Sequence, residues 1–457
     1  MPAGQAKRPT MKMSANGGNR KQAQCSLAAR FNTAFPMVSD TEPLPRGQSR
    51  RRPILFTIPS FTGAGGTERM VANLARLLSA DHEVHISSFD KPGAQPNFDP
   101  GVPFHALGSG PRLPFLLRVI TYATEARRLR SLKRRLGVGL TISNLWRSDL
   151  ISVLAGGSDR KIAICHINVA GNKTNALMMS LLPLVRAVYH RVDKVVAVNE
   201  ALLHELKALY QLTDASVTSI DNFVDVSLPP AEWSAEGRRQ LVWCGRFVAE
   251  KNVAALIDIY AGLRKRRSDA QLVLIGAGPL LEATKSRAAE LGLRVGTTAT
   301  DADADVVFRG SLMDPWPALR QASLMMLTSI AEGLPMVLLE AASLGIPIAA
   351  SDCPSGGVAS MILGAAHHDA KRQQSVRSPL GLLLPVPDPA RPESIGVWVS
   401  ELDALLSDAV ALNGMRASAL RRSRDYTPEA ARLKWQPLIE ELLGHTGAQC
   451  AAPRLLT

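Results

Sequence analysis

Residues 329–357 read SIAEGLPMVLLEAASLGIPIAASDCPSGG, and the order of textures in this stretch decides the fold. An apolar run at Leu324–Leu327 precedes it. Gly333, Leu334 and Pro335 break the chain, an apolar helix start follows, and Gly345 and Pro347 lead into a second extended run at Ile346–Ala350. Strand, helix, strand in succession implies two parallel strands joined by a right-handed crossover, the unit of a doubly wound α/β domain.

The same unit recurs on both sides. Gln240–Cys244, Gln271–Ile275 and Asp305–Phe308 are predicted strands before the quoted stretch, and Leu380–Leu384 follows it. An earlier series comprises Ile54–Ile58, Glu83–Ser88, Gly139–Ser143, Lys161–Cys165, Lys194–Val198 and Ser216–Ile220, with a helix over Gly66–Ser79 and further helical segments between the strands. Asn222–Arg239 contains Pro229 and Pro230 and lacks periodicity, which marks a linker. The expected organisation is two Rossmann-like domains, 53–228 and 238–426, facing a central cleft, with an amphipathic closing helix at 427–445 that starts at Pro428. Residues 1–52 are rich in Gly, Asn, Gln, Ser, Pro and Arg and are expected to be a disordered basic extension; a transit peptide or a start at Met37 fits the same composition.

The formal net charge is +13, and its distribution matters more than its size. Residues 1–52 hold ten basic and two acidic side chains, and residues 118–135 hold seven basic and one acidic, so the rest of the chain is near neutral. A general nucleic-acid-coating surface is therefore not expected. No run of 18 residues is free of charge and turn residues, so no transmembrane helix is predicted. The five cysteines are scattered with no CxxC pair, the pattern of reduced thiols in a cytoplasmic protein rather than of a disulfide framework or a zinc site.

Glu332 and Glu340 are separated by seven residues, but spacing alone means little, because Glu282/Glu290 and Glu393/Glu401 repeat it. Context singles out the first pair. Glu332 is on the loop leaving a strand, and the backbone N–H groups after it open a helix able to hold phosphate. Glu340, about two turns into that helix, can accept a bidentate pair of hydrogen bonds from the vicinal hydroxyls of a ribose. CGRFVAEKN, 244–252, puts Arg246 and Lys251 in a loop directly after a predicted strand. A guanidinium fork and an ammonium there neutralise a pyrophosphate leaving group as charge develops on it.

With these pieces in order, the chain resembles the retaining glycosyltransferases of family 4 (group 1), whose Glu-x7-Glu signature the 332–340 segment matches and whose GT-B architecture has two Rossmann-like domains. The resemblance covers roughly residues 53–445 and is strongest between 240 and 363. It implies that Arg246 and Lys251 bind the donor diphosphate, and that Gly333, Leu334 and Glu340 meet the donor. VLIGAGP, with Gly276, is similar to the family's strand-to-helix turn beneath the donor, although no GxGxxG with a following ribose acid is completed. VVFRG, with Phe308, matches the segment whose backbone meets the nucleotide base. FTGAGGTERMVANLARLL resembles the glycine-rich loop and first helix of the family, where Gly65 and Gly66 let the main chain approach donor phosphate or acceptor. His166, at the end of KIAIC, matches a histidine that meets the donor sugar. Two departures bear on sugar preference: Ser360 stands where the family usually has an acid, and Asn199 where a serine often caps the next helix.

The expected activity is transfer of a sugar from a nucleoside diphosphate sugar (UDP or GDP), with retention, to a hydroxyl acceptor, a lipid-linked or oligosaccharide substrate of surface polysaccharide or glycolipid synthesis. Glu332, Arg246, Lys251 and His166 are the expected catalytic residues. No metal and no cofactor beyond the nucleotide-sugar co-substrate is expected. Asp301, Asp303 and Asp305 precede a strand instead of following one, so they are expected in a solvated insertion, and His367, His368 and Asp369 lack a third spaced ligand. A sugar-nucleotide epimerase of the same architecture, or a sugar-nucleotide or polyanion-binding protein, is the alternative. Pro111–Leu136 combines Leu113, Phe115, Leu116, Leu117, Val119, Ile120 and Tyr122 with the second basic cluster. It is expected either as a helix on an anionic membrane surface, giving peripheral attachment to the inner face of the plasma membrane, or as a helix packed on the sheet with a solvated basic end.

Overall fold

The computed structural model describes residues 52–63, 65–110, 118–167, 181–225, 239–298, 301, 303–364 and 374–444. Its strands are short apolar runs because parallel strands covered by helices on both faces have no polar side to present. In the first half, β1 (Ile54–Ile58), β2 (Val84–Ser88), β3 (Phe104–Ala106), β4 (Leu140–Asn144), β5 (Arg160–Cys165), β6 (Lys194–Ala197) and β7 (Val217–Ser219) form one sheet in the order β3-β2-β1-β4-β5-β6-β7, all parallel. Helices α1 (Gly66–Ser79), α2 (Arg118–Leu136), α3 (Trp146–Ala155), α4 (Leu182–Tyr189) and α5 (Glu200–Tyr210) connect them.

The second half repeats the plan. Strands β8 (Arg239–Cys244), β9 (Ala270–Ile275), β10 (Val295–Gly296), β11 (Val306–Phe308), β12 (Leu324–Leu327), β13 (Ile348–Ser351), β14 (Val376–Ser378) and β15 (Gly381–Leu384) are ordered β10-β11-β9-β8-β12-β13-β15-β14. Only the β14–β15 hairpin is antiparallel. The helices are α6 (Val253–Arg264), α7 (Leu281–Glu290), α8 (Trp316–Leu319), α9 (Met336–Ser343), α10 (Gly357–Leu363), α11 (Pro392–Leu406), α12 (Ala409–Ser423) and α13 (Pro428–Gly444).

Both sheets reverse direction once, between β1 and β4 in the first and between β8 and β12 in the second. Loops leaving the carboxyl ends of those strands diverge there and leave a crevice, the usual ligand site of such sheets. The final helix returns to the first half. Arg432 pairs with Asp81, Lys434 with Asp221 at 2.8 Å, and Trp435, Leu438, Ile439 and Leu442 join the apolar cluster that contains β1, β4 and α1.

Two expectations are corrected. Asp305 is not in a solvated insertion: it is buried, with Arg264 Nε at 2.8 Å and Arg294 Nη2 at 3.2 Å, and these two cations hold its carboxyl far below the usual range against the opposing effect of burial. Glu340 is the fifth residue of α9, one turn in rather than two, because Pro335 is extended and the helix starts only at Met336. Of the basic segment, 111–117 lies outside the described residues, as do 365–373, the 226–238 part of the linker and the 1–51 extension.

Candidate active site

The loops at the second crevice are sewn together before any side chain reaches into it. After β8 the chain passes through Gly245 and Arg246 to a 3-10 turn, Ala249–Lys251, and Asn252 adopts a left-handed conformation (φ 51°) to enter α6. Thr328, just past β12, donates through Oγ1 to the carbonyls of Lys251 and Asn252, both at 3.2 Å, and Ile330 N donates to Glu250 O at 2.8 Å. This pairing brings Lys251 Nζ onto Glu332 Oε1, which also accepts from Ser329 Oγ at 2.7 Å. The expected pyrophosphate cation and the first acid of the Glu-x7-Glu pair therefore form one ion pair. Arg246 is exposed at the same edge, and its charge reaches Glu68 of the first half, where it favours the carboxylate.

Glycine is required here by close approach. A Cβ on Gly276 (φ 142°) would stand 1.8 Å from the Gly245 carbonyl oxygen, so Gly276 lets the loops after β8 and β9 nest. A Cβ on Gly333 would stand 1.7 Å from the carbonyl oxygen of His166, across the cleft. Leu334 follows with its side chain buried and its carbonyl held by Asn222 Nδ2 at 2.8 Å. The Gly333–Met336 strap is thus the seam between the halves. Phe308 is a core side chain at the end of β11, paired with Leu274 of β9.

On the first side, α1 begins at Gly66 after the glycine-rich loop. The Glu68 side chain folds back under that loop: Cβ atoms on Gly63 and Gly65 would lie 2.6 and 2.5 Å from its carboxylate oxygens. Gly65 therefore makes room for a carboxylate of its own helix, a use that the sequence alone does not reveal. Burial raises the Glu68 pKa, and Arg246 draws it back. A Cβ on Gly66 would meet Met336 of α9 at ordinary van der Waals distance. The next residue of the helix face, Arg69, crosses the cleft: Nη1 donates to Glu340 Oε1 at 3.1 Å and Nη2 to Met313 O at 3.0 Å. Glu340 is only 4% exposed; burial raises its pKa and Arg69 opposes that shift. The control acids behave differently, since Glu282, Glu290 and Glu393 are exposed and Glu401 merely accepts from Ser375.

His166 follows β5 and its Nε2 lies 3.1 Å from Asn144 Oδ1, at the end of β4. Burial lowers the imidazole to about 4, so the ring is neutral. Leu145, next to Asn144, has φ 68°, a left-handed conformation that a non-glycine residue rarely adopts and that often marks a site. Asn144 is not singled out by the sequence, where only its place after an apolar run hints at a role. Asn199 caps α5, accepting from Leu202 N at 2.7 Å, as expected from the sequence. Among the described residues Cys165, Cys244 and Cys353 are free thiols.

This geometry has counterparts among known proteins. The family model described as "Glycosyl transferases group 1" matches residues 238–372, and that described as "Glycosyltransferase Family 4" matches residues 64–228. The chain belongs to the group 1, or family 4, glycosyltransferases. It is 22% identical to the amylovoran biosynthesis glycosyltransferase AmsD of Erwinia amylovora, over 84% of this chain and 99% of that protein. It is 24% identical to the N-acetylgalactosamine-N,N'-diacetylbacillosaminyl-diphospho-undecaprenol 4-alpha-N-acetylgalactosaminyltransferase of Campylobacter jejuni, over 64% of this chain and 79% of that protein. A mutant TarM from S. aureus, solved with fondaparinux, alpha-GlcNAc-glycerol and UDP, superposes with a TM-score of 0.66 at 13% identity, covering 85% of this chain and 99% of that one. The architecture of this glycosyltransferase is GT-B.

Proposed function

We propose that this glycosyltransferase moves a sugar from a nucleoside diphosphate sugar to a lipid-linked saccharide in the assembly of a surface polysaccharide or glycolipid, with retention at the anomeric carbon. The observation that carries the reading is the cluster at the second crevice: Lys251 paired with Glu332, Arg246 exposed beside them, and the buried carboxylate of Glu340 one helical turn deeper. Arg246 and Lys251 meet the diphosphate and stabilise it as it leaves. Glu340 takes the ribose hydroxyls, and neutral His166 meets the donor sugar. In the transfer, the bond from the anomeric carbon to the phosphate oxygen breaks, and the acceptor oxygen bonds to the same face. The acceptor proton passes to the departing phosphate, so neither a carboxylate nucleophile nor a metal is called for.

The similarity to AmsD and to the Campylobacter enzyme, whose name includes a diphospho-undecaprenol acceptor, supports the polysaccharide setting, and the UDP in the TarM complex supports a nucleotide donor. A groove of about 490 Å³ lined by Asn97, Phe98, Asp99 and Phe104 of the first half and Met313 of the second combines apolar faces with polar edges, which suits a saccharide acceptor. The exposed basic face of α2 supports contact with an anionic membrane. No helix among the described residues is long and apolar enough to cross one.

The test is incubation with a panel of UDP-, GDP- and ADP-sugars. Release of nucleoside diphosphate identifies the donor, and NMR of the product gives its anomeric configuration. Lys251→Ala lowers turnover by about 10²–10³-fold with an unchanged circular dichroism spectrum, the usual cost of one transition-state charge contact. Undiminished turnover in that variant removes Lys251 from the mechanism. Conversion of the nucleotide sugar itself, without transfer, identifies an epimerase instead.

A further inference from the structure

Asn144 carries no reactive group, yet the backbone beside it is strained to put it in place. Leu145 has φ 68° and ψ 143°, a combination that suits glycine. It is held from both sides: Ser143 Oγ donates to Asp149 Oδ1 at 2.6 Å, and the Leu145 carbonyl accepts from Ser148 N at 2.9 Å and Asp149 N at 3.2 Å, in the first turn of α3. Asn144 itself is wholly buried at the end of β4, beside β5, and both ends of its amide are engaged. Nδ2 donates back to the Ile142 carbonyl at 3.5 Å, which an oxygen could not do, so Oδ1 is the end that meets His166 Nε2 at 3.1 Å. Oδ1 only accepts, so Nε2 carries a proton. Burial lowers the imidazole to about 4, so at neutral pH the ring has a single N–H, the one on Nε2, and Nδ1 keeps its lone pair.

We propose that Asn144 is a positioning residue that fixes the tautomer of His166, so that Nδ1 meets the donor sugar as a hydrogen-bond acceptor and selects a hydroxyl that donates to it. The inference rests on His166 being the residue that meets the donor sugar. Its place in the fold suits that role: a Cβ on Gly333 would stand 1.7 Å from the His166 carbonyl oxygen, so the strap leading from Glu332 into α9 passes directly against it. A hydroxyl can turn its proton towards Nδ1, whereas a carboxylate in the same place offers none and sets lone pair against lone pair. The choice of an amide over an acid follows from the same chemistry. An aspartate at this position would stabilise a second proton on the ring and turn Nδ1 into a donor; the uncharged carbonyl of Asn144 orients the ring without charging it.

The experiment reads the tautomer first and its consequence second. Nitrogen NMR of the full chain carrying isotopically labelled histidine, with His166→Ala identifying the signals, shows Nε2 protonated and Nδ1 bare at neutral pH. The opposite tautomer, or a mixture of the two, overturns the proposal. Release of nucleoside diphosphate is then followed with the best donor among UDP-glucose, UDP-galactose, UDP-N-acetylglucosamine and GDP-mannose. In Asn144→Asp, kcat/KM rises by up to about tenfold per pH unit between about pH 5 and 7, as His166 loses the proton that the new carboxylate stabilises, and approaches the value of the unaltered protein above that range. The unaltered protein shows no such rise, because its imidazole is already neutral there. A uniform loss at every pH in Asn144→Asp, or no loss at all, in a variant that melts cooperatively, assigns Asn144 a merely structural part and overturns the proposal. His166→Ala tests the underlying reading separately. Unchanged kcat/KM in that variant removes His166 from the donor sugar, whereas an impaired His166→Ala beside a flat Asn144→Asp profile overturns the part given to Asn144 alone.

Discussion

Asp149 illustrates how strongly the first domain bends the chemistry of a single residue. It lies in the first turn of α3, fully buried, accepting from Ser143 Oγ at 2.6 Å and from the Tyr189 hydroxyl at 3.4 Å. Burial lifts its carboxyl to about 7. The folded protein keeps this proton over a range in which the unfolded chain has lost it, so the group's contribution to stability falls as pH rises from about 4 to about 7 and then levels off. The upper bound of that loss is roughly 4 kcal/mol, at about 1.4 kcal/mol for each tenfold difference in proton affinity between the folded and unfolded chain. Asp149→Asn removes the titration, so its melting temperature gains on that of the unaltered protein between pH 5 and 7 and runs parallel above. A constant offset across that range contradicts the assignment. Nothing in the sequence marks Asp149, because its burial is created by α3 lying over β4 and β5. The Arg69–Glu340 bond is illegible there for a similar reason: 271 positions separate its partners, and only the meeting of two domains joins them. Glu332, Glu340, Arg246 and Lys251 are legible because strand-loop-helix order fixes which side chains reach a crevice.

At the level of elements, buried parallel strands announce themselves as unbroken apolar runs, and the strands bounding both crevices fall within one or two residues of the positions read from sequence. The strands that escape such a reading, β3, β10 and β14, are edge or near-edge pieces of two or three residues whose side chains are largely half-buried or exposed. Helix α2 shows the opposite difficulty, since its charge is legible but its orientation is not. Leu129 and Leu132 are buried, and Lys133 is buried against Asp159 at 2.9 Å, so one face docks on the sheet. Arg127, Arg130, Ser131 and Arg134, spaced at three and four residues, line an open groove of about 330 Å³ on the other face. Val119 (72% exposed) and Ile120 (52%) stand at the same helix's N-terminal end. The helix thus combines a sheet-packed face with a solvated basic one, the second of the two arrangements expected for this segment. Exposed arginines each add about 1 kcal/mol at an anionic bilayer. Reversing Arg127, Arg130 and Arg134 to glutamate therefore lowers co-flotation with anionic vesicles by more than about 100-fold in partition coefficient, with turnover of a water-soluble acceptor unchanged. Equal flotation of the two proteins rules this face out.

The two halves are joined by more than the seam at Gly333. Val224 N donates to the Tyr426 carbonyl at 3.0 Å, and α13 then lies across α1 with Trp435 only 3% exposed. Trp435→Ala costs about 3–5 kcal/mol, the usual range for a buried tryptophan, and lowers the melting temperature of the first domain rather than that of the second. Protease mapping of the partly melted variant distinguishes the two: cleavage first within 253–406 contradicts the placement of α13 as a wall of the first domain.

That same helix imposes an order on biosynthesis. The apolar surface beside β1, β4 and α1 is made early, but the segment that covers it is among the last described residues of the chain, after the whole second sheet. At translation rates of about 5–20 residues per second, the first domain waits on the order of ten seconds or more with that surface bare. A nascent chain of this enzyme is therefore a client for any chaperone that binds exposed apolar helices, and a ribosome stalled before Pro428 leaves behind a product whose first domain lacks its covering helix.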